Sequence, residues 1–143
     1  MDDGRPLETL LEEVKSLNSD FPPSNLIWEI CNRGVGPRLC AVKAAVEIEE
    51  PVVAMNCIME LAGGEGSGVE SLHEPVLALL SENENEQSAW YISELAHMFQ
   101  PHVSKKELKD NLLYSMRKHP SQKENIEDSL KGLGFSKFLG VWM

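Results

Sequence analysis

Pro51-Val52-Val53-Ala54-Met55-Asn56-Cys57-Ile58-Met59-Glu60-Leu61-Ala62 is the stretch on which the fold turns. Proline fits the first turn of a helix, where its missing N–H costs nothing. After it, only Asn56 and Glu60 are polar, which leaves too narrow a polar stripe for a surface helix. The pattern predicts a helix over 51–62, buried on most sides and central to whatever packs around it. Gly63-Gly64-Glu65-Gly66-Ser67-Gly68 ends it. These glycines have neither the preceding strand nor the Gly-Lys-Ser/Thr of a phosphate loop, so they read as a turn between helices.

The same period of about 3.6 extends in both directions. Upstream, Leu7, Leu10, Leu11, Val14 and Leu17 form one stripe, stopped by Asp20-Phe21-Pro22-Pro23. A second helix is expected from Ser24 as N-cap through Leu26, Ile27, Ile30 and Cys31 to Gly34. Gly36-Pro37 opens a third, with Leu39, Val42, Ala45 and Val46. Downstream, Val69, Leu72, Val76, Leu77, Leu79 and Leu80 make a fifth helix, and Trp90, Tyr91, Leu95, Met98 and Phe99 a sixth. Ser104-Lys105-Lys106-Glu107 and Ser121-Gln122-Lys123-Glu124 both match the capping box and predict two more helix starts. Gly132 and Gly134 close the last helix, before an apolar tail of residues 136–143. The expectation is an all-α domain of about eight short helices and no sheet, spanning 1–143 with its core over about 6–135. No period of self-similarity marks a repeat array.

Hydrophobic residues at 42% and charged residues at 25% suit a globular chain rather than a disordered one. No apolar run approaches the roughly 20 residues of a membrane span, and the start lacks the basic and apolar regions of a signal peptide. Cys31, Cys40 and Cys57 are too few and too far apart for a disulfide framework or a metal knuckle. They read as small core residues in a reducing, cytoplasmic setting. Net charge is −10, with 5 Lys/Arg against 18 Asp/Glu in residues 1–100 and 8 against 5 in 101–143. The acidic bulk argues against nucleic acid and leaves at most indirect membrane contact.

The four histidines form no His-Glu-x-x-His and pair with no cysteine at ligand spacing. No nucleophile elbow or Walker lysine is present. The expectations are therefore no catalysis, no metal and no cofactor. Two features ask for a binding role. Trp28, beside Ile27, extends the apolar arc of the second helix. It reads either as a core tryptophan or as the anchor of a protein-binding surface. Lys105, Lys106, Lys109, Arg117, Lys118 and Lys123 flank the last helix pair. Arg117 and Lys118 suit a helix C-terminus, whereas the three early lysines oppose the dipole of their helix. With Tyr114 they make Lys105, Lys106, Lys109 and Lys123 a candidate site for an acidic peptide, although a solvated helix face would look the same.

From Ile30-Cys31 and Gly36-Pro37-Arg38-Leu39-Cys40 onward, the chain resembles the VHS domain of endosomal and Golgi sorting adaptors. Pro51 to Leu61 is similar to that family's central helix, of the type Pro-x-Val-Ala-Met-x-Ala-Leu. Leu72-His73 stands where the family has Phe-His. Leu112-Leu113-Tyr114-Ser115-Met116 looks like its Leu-Leu-Tyr-Ser-Trp step, and Ser129 to Phe135 like its closing Leu-Lys-x-x-Gly. A family tryptophan that takes part in ubiquitin binding would fall near Ser24, whereas Trp28 stands one turn later. The stretch from Tyr114 to Leu130 is shorter than usual, which implies an altered sorting-signal groove, and no family groove residue before Leu112 carries over. The resemblance implies a right-handed VHS/ENTH-like superhelix. It also implies an adaptor module recruited to endosomes or Golgi, recognising acidic di-leucine tails or ubiquitin. Competing expectations are a HEAT/armadillo-like scaffold fragment and an RNA-polymerase-tail-binding domain.

Overall fold

The computed structural model describes residues 5–63 and 71–143. Among them are eight α-helices and one short hairpin, so the chain is all-α as expected. The readings of Val69 and of Gly64 to Gly68 lie outside the described residues. The chain divides into two compact units, Met1–Val76 and Leu77–Met143.

In the first unit, α1 (Leu7–Lys15), α2 (Ser24–Cys31) and α4 (Pro51–Gly63) all pack against α3 (Val35–Val46). The alanines of α3 permit this: Ala41, Ala44 and Ala45 are buried and let neighbouring backbones come close. Gly34 precedes α3 at φ 110, a left-handed conformation that only glycine adopts without strain. Val53, Ala54, Cys57, Ile58, Leu61 and Ala62 of α4 are buried. Val52 is exposed, and Met55 and Met59 are half-buried. The helix is therefore buried over a broad face rather than on most sides. Ser24 is the first helical residue and not the cap. Pro23 precedes it, and no side chain caps that end.

The helix α5 (His73–Glu82) carries the boundary between the units, with Pro75 tolerated in its first turn. In the second unit, α6 (Glu86–Phe99) packs against α7 (Lys105–Lys118) and α8 (Lys123–Gly132), which also pack on each other. Asn85 caps α6, its side chain accepting from Gln87 N at 2.9 Å. The helix thus starts four residues before Trp90. Ser104 caps α7 as expected, accepting from Glu107 N at 3.2 Å.

Ser121 does not cap α8. Pro120 forces His119 out of the helical region (φ −128, ψ 76), and Pro120–Gln122 wind into a 3-10 turn. Ser121 Oγ instead donates to Glu86 Oε1 at 3.0 Å. At the other end, α8 closes on Gly134 at φ 100. Gly134 N bonds Lys131 O and Phe135 N bonds Leu130 O, both at 3.0 Å, which is the Schellman pattern.

The tail is a second correction. Lys137–Phe138 (β1) and Val141–Trp142 (β2) pair antiparallel. Leu139 (φ 50) and Gly140 (φ 82) both have the positive φ of a type I′ turn. Phe138 and Val141-Trp142 on either side of an X-Gly step are a hairpin signal that a helical period hides.

Candidate functional site

On α2, Leu26, Ile27, Ile30 and Cys31 share one buried arc, as residues three and four apart must. Trp28 falls outside that arc and is 51% exposed, which overturns the core alternative. Ile27 is fully buried, so its assignment to a protein-binding surface does not hold and it serves the core. Asn32 Nδ2 donates to the backbone Trp28 O at 2.8 Å and steadies the end of the helix.

Next to Trp28, Glu29 accepts from Arg5 Nη2 at 2.9 Å and lies 3.5 Å from Arg33. Arg5 also reaches Glu13 on α1 at 2.5 Å. Hydrogen bonding to Arg5 holds the Glu29 carboxyl below its ordinary range, and the two carboxylates hold the Arg5 guanidinium above its own. Between α1 and α2 an open cleft of about 580 Å³ is lined by Arg5, Glu13 and Glu29 and by Leu17, Pro23 and Leu26. Ion pair and apolar wall together make an amphipathic recess one helical turn from an exposed indole.

The C-terminal lysines are not one site. Lys109 Nζ sits 5.5 Å above the Phe135 ring. Lys105 Nζ lies 3.8 Å from where a Cβ on Gly134 would stand. Lys106 pairs with Asp110 at 3.1 Å. Lys106 and Lys109 thus have local reasons to exist, which the sequence reading did not find. Tyr114, nine residues after Lys105, lies on the opposite side of α7 at about 100° per residue. Lys123 begins α8, near the end of α7, some ~20 Å of helix from Lys105. The structure brings Lys105 and Lys109 together around Gly134-Phe135. It leaves Lys106, Tyr114 and Lys123 elsewhere.

Of the cysteines, Cys31 and Cys57 are buried and Cys40 is exposed, against the expectation of three core residues. Burial, reinforced by Glu60 and Cys31, pushes the Cys57 thiol up to about 12, so it stays protonated and inert. Among the described residues no cluster of three His, Cys, Asp or Glu side chains is placed to hold a metal ion.

Sequence reasoning missed Arg38, which is 2% exposed, and the exposed face of the hairpin. The signal for Arg38 was present, because 38, 41, 42 and 45 fall on one helical stripe. Against known proteins, no family model, no curated sequence and no solved structure matches this chain.

Proposed function

We propose that this chain is a protein-binding adaptor module of vesicular trafficking, VHS-like in kind, that docks its ligand on the α2 surface around Trp28. The observation that carries the proposal is the half-exposed indole on a helix whose other large apolar residues are buried. Tryptophan is the side chain most enriched among residues that dominate binding energy, and truncating such an anchor costs about 2–4 kcal/mol. The neighbouring cleft with Arg5, Glu13 and Glu29 supplies polar groups at the rim. Of the two ligand classes that the resemblance implies, ubiquitin fits this face better than an acidic tail, since Glu13 and Glu29 stand beside it. Recruitment to endosomes or Golgi belongs to the same proposal.

Titration of ubiquitin and of an acidic di-leucine peptide against the chain tests it. Ubiquitin should bind with micromolar affinity, about −8 kcal/mol. Trp28→Ala should weaken it at least ~30-fold, by the arithmetic of such an anchor, without lowering the melting temperature. Undiminished binding by Trp28→Ala would remove the docking face. Tighter binding of the di-leucine peptide, lost in Lys105→Glu/Lys109→Glu, would transfer the function to the second unit.

A further inference from the structure

The C-terminal hairpin is turned the wrong way round for a surface element. In an antiparallel pair, directly opposed residues share a face and alternate along the strand. Lys137 opposes Trp142, and Phe138 opposes Val141. Ser136 and Met143 extend the ladder through bonds of 3.0 and 2.9 Å between their backbones, on the Phe138 face. Trp142 is buried, so its side of the hairpin packs inward, while Lys137 opposite it stays exposed at the edge and reaches Glu127 of α8 at 3.8 Å. The face turned to solvent is the apolar one: Phe138, Val141 and Met143 are each more than half exposed. Leu139, at the tip, is 88% exposed. A hairpin that only closed the fold would place its polar residues outward. The tip residue also sits at φ 50, where Asn, Asp or Gly is strongly preferred over leucine. The position keeps a large hydrophobe in water, on a backbone that disfavours it.

What surrounds this wedge is cationic. Residues 129–143 contain Lys131 and Lys137 and no Asp or Glu, in a chain whose net charge is −10. Lys105 stands near Gly134 and Lys109 over the Phe135 ring, at the root of the hairpin. Glu127 offsets part of the Lys137 charge, and among the described residues no other carboxylate forms an ion pair with these four lysines. We infer that the Lys137–Trp142 hairpin is a peripheral membrane anchor, whose tip enters the interface of an anionic lipid surface while its basic root meets the headgroups. The wedge ends in an 88% exposed leucine and bears no polar group on its outward strand face beyond Ser136. An apolar face without polar partners suits a deformable apolar interface, and the lysines supply the charge complementarity. Contact of this kind is separate from spanning: among the described residues no helix is long and apolar enough to cross a membrane. It does not depend on the Trp28 docking face.

Vesicle co-sedimentation of the full chain tests the inference. It compares phosphatidylcholine vesicles with vesicles containing about one-third phosphatidylserine. The chain should pellet with the anionic vesicles, less with the neutral ones, and less as salt rises. Leu139→Asn places a residue that tolerates positive φ at the tip, so folding should be unharmed or improved, yet binding should fall about tenfold or more. Lys131→Glu/Lys137→Glu should abolish the preference for phosphatidylserine, whereas Trp28→Ala should pellet as the wild type does. Failure of the wild type to pellet, or equal binding by Leu139→Asn, overturns the anchor. A self-association abolished by Leu139→Asn, without vesicle binding, would overturn it in favour of a second copy as the occupant.

Discussion

Arg38 carries its positive charge with 2% of its surface exposed. Its Nε and Nη2 donate to Leu61 O at 3.2 and 2.7 Å, and Nη2 reaches Ala62 O at 3.2 Å. These carbonyls belong to the last turn of α4, where orphan acceptors and the helix dipole gather negative partial charge. The guanidinium therefore stands in for a C-cap and fastens α3 to the end of α4. Arg38→Ala should cost about 3–5 kcal/mol in urea unfolding, because a cavity opens and charged hydrogen bonds vanish. Arg38→Lys should recover only part, since an ammonium lacks the planar fork. A loss for Arg38→Ala below about 1 kcal/mol would mean that water serves those carbonyls equally well. Both surprises at this scale concern burial rather than helix type. Arg38 lay on a legible apolar stripe, but its charge argued for the surface. Trp28 lay in a helix so rich in apolar residues that α2 alone does not say which third faces out. Packing against α3 and α4 decides that.

Helix starts show how far local chemistry reaches. Ser104 and Ser121 head nearly the same four-residue motif, yet only Ser104 caps. The difference is Pro120, which imposes a 3-10 turn before α8, together with Glu86, which accepts the Ser121 hydroxyl 35 positions away in sequence. Ser104→Ala should therefore destabilise the chain by about 1 kcal/mol, the usual worth of an N-cap. Ser121→Ala should stay within about 0.5 kcal/mol, as an exposed side chain outside any cap does. Paired thermal melts check this. Equal losses would mean that Ser121 supports α8 in solution, and no loss at Ser104 would mean that its bond is frayed. The number and order of helices were legible because apolar spacing is a property of each segment. Helix ends were legible where Gly or a true cap stands, as at Gly134. They were not legible where a proline or a distant carboxylate intervenes. The hairpin escaped because six residues are too few to display a period.

Charge is the property of the whole chain that its residues and elements do not reveal singly. Met1–Val76 holds 5 Lys/Arg against 14 Asp/Glu, a net of −9, and Leu77–Met143 holds 8 against 9, a net of −1. The all-α class and this acidic balance could be read from the sequence, whereas the partition of the lysines between several local tasks needed the structure. That partition changes what an acidic peptide should experience. Read alone, residues 101–143 suggest attraction, and with it binding that weakens as salt rises. In the structure Lys106 is neutralised by Asp110. Lys118 lies 3.1 Å from Glu84, and Lys137 lies 3.8 Å from Glu127. At low ionic strength the screening length reaches tens of ångströms, so a peptide approaching Lys105 and Lys109 also feels the net −10 of the chain. By about 0.1 M salt that length is near 10 Å, so the distant carboxylates are screened first and a modest local attraction to Lys105 and Lys109 remains. The affinity of an acidic di-leucine peptide should therefore change less than about threefold between 50 and 500 mM salt, while a basic peptide at the acidic first unit should lose about tenfold or more. Isothermal titration across that range checks both arms. A steep loss for the acidic peptide would show that Lys105 and Lys109 form a concentrated cationic site after all, and the second unit would then be the place to seek the ligand.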